Sequence, residues 1–355
     1  MASKKSKGAG GGVGRAVFLF FWTLLLILIL LLGLIFVMEK GPSPTVTELF
    51  CRSVRETSAI KWVANIFLTD EEVAAFEVQN AELADTQEAV NVSLIQVAQG
   101  SSASGESSGG ESAGQAETPY LELKEIKGRT FKGKLLIVRD PKSVIVGTSD
   151  NLGMQAGLQL TDMVAKYDGI AGINGGGFND ENGKGDGGTP QGLVITNGQI
   201  VYGYAGGEYS VVGLDDEGIL IVGKMSGQEA LDKGIQWAVS FNMEGAINGA
   251  LVINGEVQQH NLASGVNPRT AIGQRADGAL LLLVLDGRQL DTLGATLQDV
   301  CDVMLEHGAV NVGNLDGGSS SVMVYEGEII NSCASVTGPR NIPDGFIVLK
   351  EGSYD

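Results

Sequence analysis

The chain has 355 residues, a formal net charge of -18 and 52 glycines. The excess of negative charge argues against nucleic acid as a partner, because phosphate backbones are bound by basic surfaces. The glycine content is about twice the usual share, which is typical of a turn-rich β-containing domain with low-complexity segments. The three cysteines, Cys51, Cys301 and Cys333, are too few for a disulfide framework. The sequence leaves open whether one pair forms a bridge or all three stay reduced.

An apolar run near the N-terminus predicts a transmembrane signal anchor. Residues 1–15 are basic and rich in glycine, and residues 16–38 contain no charged side chain. As a helix the run would be about 34 Å long, enough to cross a hydrocarbon core of about 30 Å. A cleaved signal peptide is the alternative, although the run is long for one and no small-residue cleavage site follows it. The basic flank predicts a cytoplasmic N-terminus and places the rest of the chain outside the cell membrane.

A helical stalk and a linker are expected after the apolar run. Residues 45–48 and 69–72 are capping-box patterns, and apolar residues at helical spacing follow them. We therefore expect two or three short helices within residues 39–97. Residues 98–118 consist almost entirely of Gly, Ser, Ala, Glu and Gln, which cannot bury enough apolar surface to offset the entropy of ordering. This stretch is expected to be a flexible, acidic linker.

Residues 119–355 are expected to form an α+β domain with a large mixed β-sheet and few helices. Asn-Gly pairs at residues 197–198 and 254–255 lie between apolar runs and predict β-hairpins, and residues 324–329 are a looser copy. A helix is expected directly after Thr296. The other elements expected at the start of the domain are strands at residues 131–138, 143–147 and 170–173 and a helix at residues 158–167.

Three apolar runs of this domain lie beside glycines and polar side chains. The first ends in Asn-Gly-Gly-Gly-Phe at residues 174–178, and the second lies between Arg269-Thr270 and Asp286-Gly-Arg288. The third ends in Asn-Leu-Asp-Gly-Gly-Ser-Ser at residues 314–320. Each block alone is also typical of a tight turn whose polar side chain bonds its own backbone.

Together and in this order, the blocks resemble the phosphodiester glycosidase family over roughly residues 124–350. Gly-Leu-Val-Ile at residues 192–195 and the Asn-Gly pair that follows belong to the same pattern. One departure is the third glycine of residues 175–177, where the family usually has two. The resemblance implies an α+β fold and hydrolysis of sugar–phosphodiester bonds. It also implies an envelope or exopolysaccharide setting, as for bacterial members.

That chemistry requires groups that hold a phosphate and carboxyl groups near the anomeric carbon. The fork of Arg269 can hold two phosphate oxygens, and Arg288 is a second candidate; an ion pair is the alternative for both. Asp316 is the expected catalytic carboxylate, and Asp286 is either its partner or a turn former. The other candidates would bind substrate through amides, backbone N–H groups or hydroxyls: Asn174, Gly175, Gly176, Gly177, Thr270, Asn314, Gly317, Gly318, Ser319 and Ser320.

Other chemistries find less support in the sequence. The two histidines, His260 and His307, are not accompanied by a Gly-x-Ser-x-Gly elbow, which argues against serine hydrolysis. His307 is expected to stabilise the end of the preceding helix. We expect no metal or cofactor at the site. The Asn/Asp/Gly-rich loop at residues 179–188 lacks the acidic spacing of an EF-hand, but a structural divalent cation such as calcium stays an alternative.

The sequence thus predicts a membrane-anchored, outward-facing glycosidase that acts on a glycosyl phosphodiester or phosphorylated polysaccharide. A non-catalytic carbohydrate-binding or polysaccharide-assembly protein with the same fold is the alternative. Asn174, Arg269, Asp286 and Asp316 lie beside strand ends, and we expect them to converge in one pocket at a sheet edge.

Overall fold

The structure is a computed structural model. It describes residues 10–57, 59–78, 89–97, 119–180, 185–241, 249–259, 262, 264–335 and 338–353. The expected linker at residues 98–118 and His260 lie outside these residues. The α-helices within them are α1 (Gly10–Lys40), α2 (Pro44–Arg55), α3 (Asp70–Val78), α4 (Leu160–Lys166), α5 (Gly227–Asp232) and α6 (Leu297–Glu306).

The strands of the described residues form three sheets, and every pair within them is antiparallel. The strands are β1 (Leu121–Lys127), β2 (Lys132–Val138), β3 (Val144–Thr148), β4 (Gly169–Asn174), β5 (Val194–Thr196), β6 (Gln199–Tyr202), β7 (Glu208–Asp215), β8 (Leu220–Ser226), β9 (Ile235–Ser240), β10 (Ala250–Ile253), β11 (Glu256–Val257), β12 (Arg269–Arg275), β13 (Leu280–Leu285), β14 (Ala309–Asn314), β15 (Met323–Tyr325), β16 (Glu328–Ile329) and β17 (Asp344–Leu349).

The three sheets share one core. The first has the order β1-β2-β13-β12-β14-β10-β11, the second β16-β15-β4-β17-β3 and the third β6-β5-β9-β7-β8. Side chains from all three meet in one buried cluster, with Leu282, Ile173 and Val212 among its members. On their other faces the first sheet packs against α6, the second against α4 and the third against α5. This confirms an α+β domain dominated by β-structure, and it resolves the expected large sheet into three antiparallel ones.

Local turn and cap chemistry forms as the sequence predicts. Asn197 and Gly198 both have positive φ, 49° and 67°, as the two-residue turn between β5 and β6 requires. The hairpins β10–β11 and β15–β16 have the same kind of turn. Thr296 caps α6 in a capping box with Asp299. Nδ1 of His307 lies 2.8 Å from the carbonyl oxygen of Val303, at the end of that helix.

The N-terminal region is helical, as expected. Residues 14–40 of α1 have a mean hydropathy of 3.0 in their most apolar window, none of which is buried. By length and composition this helix can cross a membrane, and a signal sequence would pass the same test. The helical stalk consists of α2, a 3-10 turn at Lys61–Asn65 and α3. The predicted cap of α2 was wrong by two residues: Ser43 caps the helix, because Pro44 takes its first position.

Antiparallel pairing brings the polar strand ends to one place. In the first sheet the start of β12 lies beside the end of β14, since Ala271 pairs with Asn314. In the second sheet the end of β4 lies beside the start of β17, since Asn174 pairs with Gly345. The two edges meet where the N–H of Asp316 donates to the carbonyl oxygen of Gly175 at 3.1 Å. The candidate site is at this junction.

Candidate active site

Asn174 fastens the loop that carries Asp316. Its Nδ2 donates to the backbone oxygen of Asp316 at 2.6 Å, and its Oδ1 accepts from the Thr270 hydroxyl at 2.8 Å and the Val322 N–H at 3.1 Å. The side chain is 1% exposed. Asn174 therefore joins β4, β12 and the Asp316 loop, and in this structure its amide groups face protein partners rather than the pocket.

Asp316 is half-buried at the centre of the junction. Burial raises the pKa of its carboxyl group to about 6, against the hydrogen bonds from Ser320 and the Gly317 N–H and the charge of Arg340, which lower it. Oδ1 accepts from the Gly317 N–H at 2.9 Å. The carboxyl group is therefore mostly ionised at neutral pH and takes up a proton in mildly acidic solution.

A second carboxyl group, Asp344, lies on the other side of Gly175. The N–H of Gly175 donates to the backbone oxygen of Asp344 at 3.1 Å, and the N–H of Gly176 donates to its Oδ1 at 2.6 Å. Asp344 is 1% exposed, and its Oδ2 has no hydrogen-bond partner among the described residues. Burial raises the pKa of Asp344 to about 7, with a further contribution from the charge of Asp316. One of the glycine N–H groups expected to bind a substrate anion, that of Gly176, thus binds a carboxyl group of the protein itself.

Gly175 is required by this arrangement, because a Cβ at this position would overlap the carboxylate of Asp344. The N–H of Gly177 is also occupied, since it donates to the carbonyl oxygen of Ser240 at 3.1 Å. The three glycine amides therefore have protein acceptors in this structure.

Arg340 contacts the Asp316 loop through Ser319. Its guanidinium donates to both carboxylate oxygens of Asp180, at 3.0 and 2.7 Å, and to the Ser319 hydroxyl at 3.3 Å. It also lies 5.3 Å from the ring centroid of Phe178. Burial raises the pKa of Asp180, but the bonds from Arg340 and the Gly185 N–H outweigh burial and hold this pKa below its usual value. Arg340 is a cation at the site that the sequence analysis missed.

Arg269 lies in a group of anion-binding donors, and a carboxylate already occupies it. Nη2 of Arg269 and Nδ2 of Asn267 each donate to Oε2 of Glu56 at 2.7 Å, and the Gly265 N–H donates to Oε1 at 2.7 Å. Glu56 follows the last residue of α2, so the anion comes from the stalk. We call Gly265, Asn267, Arg269 and Arg288 the anion clamp.

Arg288 extends the anion clamp towards the Asp316 loop, where its guanidinium lies against Gly318. Its Nη2 donates to the Thr57 hydroxyl at 2.7 Å and to Oδ1 of Asn267 at 2.9 Å. Burial and the nearby Arg269 lower the pKa of Arg288, whereas the charges of Glu56 and Asp316 raise it, and the guanidinium stays charged. Arg288 has a φ of 57°, an uncommon conformation for this residue type.

The Asp286 carboxyl group bonds to the loop at residues 331–332. Its Oδ1 accepts from Nδ2 of Asn331 at 3.1 Å and from the Ser332 N–H at 3.0 Å. Burial raises the pKa of the carboxyl group, against the bonds from Asn331 and Ser332, which lower it. Asp286 reaches the Asp316 loop through Asn331, which also donates to the Ser321 backbone oxygen at 3.2 Å. The partners of the carboxyl group lie 45 and 46 positions away in the chain, so Asp286 joins two loops, and its catalytic role stays a prediction.

The structure therefore brings Asn174, Arg269, Arg288 and Asp316 together and places Asp286 on an adjoining loop. The roles predicted for these residues stay predictions. Thr270 and Asn314 are 0% and 3% exposed and belong to the buried framework beneath the site. The remaining candidates form the loop around Asp316: Gly317, Gly318, Ser319 and Ser320.

A model of the phosphodiester glycosidase family matches residues 167–349, just over half of the chain. The chain belongs to the phosphodiester glycosidase family. The match covers the three polar strand ends and adds Arg340 and Asp344, whose stretch the sequence analysis did not single out.

Relatives of this glycosidase-family chain match it over limited lengths. The N-acetylglucosamine-1-phosphodiester alpha-N-acetylglucosaminidase of Bos taurus is 29% identical over 176 residues, 44% of this chain and 31% of that protein. An uncharacterized protein of the SPbeta prophage of Bacillus subtilis is 42% identical over 80 residues, 22% of this chain and 11% of that protein. The chain thus spans less than a third of either relative.

A solved structure shows the same fold. It is the catalytic domain of the zebrafish N-acetylglucosamine-1-phosphodiester alpha-N-acetylglucosaminidase, described as auto-inhibited by its pro-peptide. The TM-score is 0.56 at 21% identity, and the match covers 67% of this chain and 86% of that domain.

Proposed function

We propose that the chain is a membrane-anchored glycosidase that hydrolyses sugar–phosphodiester linkages in envelope or exopolysaccharide material outside the cell. The observation that carries the proposal is the position of Arg288, whose Nη2 donates to Oδ1 of Asn267 at 2.9 Å and whose guanidinium lies against Gly318 in the Asp316 loop. A phosphate bound in place of the Glu56 carboxylate would lie next to a catalytic carboxyl group. The family membership and the apolar helix α1 support the reaction class and the anchor.

Asp316 is the group that we assign to the reaction. Hydrolysis breaks the bond between the anomeric carbon and a phosphate oxygen, and the phosphate leaves with the bonding electrons. Above pH 6 the Asp316 carboxylate can take the proton of the attacking water. Alternatively it can attack the anomeric carbon itself, and water then hydrolyses the glycosyl ester to release the sugar and restore the carboxylate. Arg288 would stabilise the charge on the leaving phosphate, so strong acid assistance is unnecessary.

The docked stalk is an obstacle to this reaction. Glu56 and a substrate phosphate need the same donors of Arg269, Asn267 and Gly265, so the two cannot bind together. We propose that the structure shows a latent state, in which the end of α2 blocks the anion clamp as a pro-peptide blocks the zebrafish relative. Substrate would bind when Glu56 leaves.

The test is release of free sugar from a panel of synthetic glycosyl phosphodiesters by the full chain in lipid nanodiscs. The panel is run on the natural chain and on Glu56→Gln, so that an occupied clamp cannot account for a negative result. Turnover that Asp316→Asn abolishes supports the proposal. Absence of turnover in both proteins, each shown to be folded by its thermal transition, contradicts it.

A non-catalytic carbohydrate-binding or polysaccharide-assembly protein is the second candidate, and the occupied anion clamp is the observation that favours it. In that case Glu56→Gln would bind a sugar phosphate more tightly than the natural chain, and neither protein would hydrolyse it. Isothermal titration beside the sugar-release assay separates the two functions.

A further inference from the structure

The turn between α2 and α3 is fastened to the outer end of α1. The ring of Phe67 packs edge-on against Phe36, with centroids 5.3 Å apart. The Phe67 N–H donates to Oε2 of Glu39 at 2.7 Å, and Lys40 forms an ion pair with Glu72 at 2.6 Å. Phe36 belongs to the apolar run of α1. The turn therefore lies level with the last apolar residues of a helix that can cross a membrane.

A small core joins this turn to the two stalk helices. Cys51 and Val54 of α2 pack with Ala64 and Leu68 of the turn and with Val73 of α3, and all five are buried. The stalk is thus a packed unit with its own interior. It connects the end of α1 to Glu56, and so to the anion clamp.

This unit nevertheless exposes large apolar side chains on its turn. Ile60 is 44% exposed, Trp62 63% and Phe67 37%. Lys61, next to Trp62, is also exposed. Tryptophan beside lysine is typical of the membrane–water interface, where the indole ring lies among the lipid headgroups and the ammonium meets phosphate. In water the same side chains would form an exposed apolar patch of the kind that marks an interaction site.

We propose that residues 60–67 are an interfacial membrane contact that holds the anion clamp at the bilayer surface. The occupant of this exposed face is the lipid bilayer itself, because the face continues the apolar surface of α1. The inference rests on the proposed anchoring of α1. Trp62 follows Glu56 by only six residues, and α2 also contacts the segment beside the clamp where the Val266 N–H donates to Oγ of Ser53 at 2.8 Å, a bond that remains when the Glu56 side chain leaves.

The placement has a consequence for the substrate. A clamp held beside the headgroups meets sugar phosphodiesters that are carried by lipids in the same membrane, rather than soluble ones. The first turn of α3 carries Asp70 and Glu71, which are exposed and would be repelled by anionic lipids. We therefore expect insertion of Trp62 and Phe67, rather than charge, to drive the contact, and salt to have little effect on it.

Tryptophan fluorescence tests the contact, because the three tryptophans of the chain are Trp22 in α1, Trp62 in the turn and Trp237 in β9. Three full-length variants each keep one of them and have Phe at the other two positions. They are reconstituted in nanodiscs whose lipids carry bromine either near the headgroup end or deep in the acyl chain. We expect shallow bromines to quench Trp62 more than deep ones, and Trp237 to be unaffected.

The possible outcomes distinguish the membrane contact of residues 60–67 from the anchoring of α1. Quenching of Trp22 without quenching of Trp62 would overturn the inference and leave the anchor intact. Absence of quenching at both would contradict the anchoring of α1 as well. Neither reading depends on whether the chain is an enzyme.

A second measurement tests the substrate class. Trp62→Ser should lower the hydrolysis rate several-fold when the glycosyl phosphodiester carries a lipid chain and lies in the same nanodisc. The hydrolysis rate of a short soluble analogue should stay unchanged. An equal loss with both substrates would assign Trp62 a structural role only, and no loss with either would overturn the membrane-bound substrate.

Discussion

Asp316 and Asp344 are two carboxyl groups near Gly175, and their surroundings give them different pKa values. Asp316 has the lower pKa, about 6, because Ser320, Gly317 and Arg340 stabilise its charge against burial. Burial raises the pKa of Asp344 to about 7 against the bond from the Gly176 N–H, which lowers it, and the negative charge of Asp316 raises it further. Both pKa values lie above the ordinary value of 3.8, so each carboxyl group keeps a proton to a higher pH than a free aspartate does.

The first prediction concerns Asp316. Asp316→Asn should lower kcat by about 10³-fold, within the usual range for loss of a general base, and should change substrate affinity much less. In the natural chain kcat/KM should fall as the pH falls through about 6, since the carboxylate is then protonated. Values of kcat and KM for both proteins over a range of pH measure the loss of turnover and the pH dependence. A profile without an inflection near pH 6 would remove Asp316 from the reaction.

The second prediction concerns Asp344 and protein stability. Its folded-state pKa of about 7 lies above the ordinary value of 3.8, so the folded protein binds the extra proton and loses stability as the pH rises between these values. Asp344→Asn removes this loss while keeping the acceptor for Gly176. We expect its Tm to exceed that of the natural chain by about 5 °C at pH 8.

The comparison over pH is the control for Asp344→Asn. The gain in Tm should shrink towards pH 4, where the natural Asp344 is protonated in the folded state. Scanning calorimetry of both proteins from pH 4 to pH 8 measures it. A constant difference across this range would mean that packing, rather than ionisation, distinguishes the two proteins.

At the level of elements, the sequence predicts what depends on local chemistry. The turn of Asn197 and Gly198 and the cap of Thr296 each depend on residues a few positions apart, and both form as expected. Strand order depends on contacts far apart in sequence, and the antiparallel arrangement of three sheets could not be derived from apolar runs.

The same limit explains which site residues were found and which were missed. Arg269 and Asp316 stand next to apolar strands and within motifs of the family, which is why they were proposed. Arg340 lies outside the motifs that carry the family resemblance, and it meets Asp180 across 160 positions. Glu56 meets Arg269 across 213 positions from a helix outside the domain, so no sequence pattern could connect them.

The third prediction concerns the end of α2. Glu56→Gln removes the charge that pairs with Arg269, and it should lower KM for a phosphodiester by about tenfold, the equivalent of about 1.4 kcal/mol of competing binding. Glu48→Gln is the matched control, because Glu48 belongs to the same helix but pairs with Arg52 at 2.9 Å, away from the site.

Steady-state kinetics show whether the stalk blocks substrate binding or supports it. The three proteins compared are Glu56→Gln, Glu48→Gln and the natural chain. A lower KM in the first variant alone supports a docked inhibitor. A loss of activity in Glu56→Gln would instead show that α2 completes the site.

For the whole molecule, the site lies between elements that are distant in the chain. The anion clamp belongs to the first sheet and Asp344 to the second, and a shared core holds the two sheets together. The net charge of -18 repels anionic polymers at long range, so attraction of a phosphate depends on Arg269, Arg288 and Arg340 within about one Debye length. A substrate held in the same membrane would not have to overcome that repulsion by diffusion.

The last prediction concerns the membrane topology of α1 and the docking of the stalk on the domain. If α1 is an anchor with a cytoplasmic N-terminus, protease added to intact cells should cut within residues 98–118, the expected linker. The fragment that follows the cut still contacts the stalk through the anion clamp. It also contacts residues 89–97, because Nδ2 of Asn254 donates to the Ala89 carbonyl oxygen at 3.0 Å and the Gln96 N–H donates to the Ala276 carbonyl oxygen at 2.8 Å.

We therefore expect the cut fragment to stay on the cells at low salt and to leave only at high salt, because the ion pair between Glu56 and Arg269 is largely buried and salt screens such pairs weakly. Glu56→Gln should release it at lower salt than the natural chain does, as measured by immunoblots of cells and supernatant. Release at once in low salt would mean that the stalk is not docked. A linker that protease reaches only after lysis would reverse the orientation of α1 and place the site in the cytoplasm, where material of the outer envelope could not reach it.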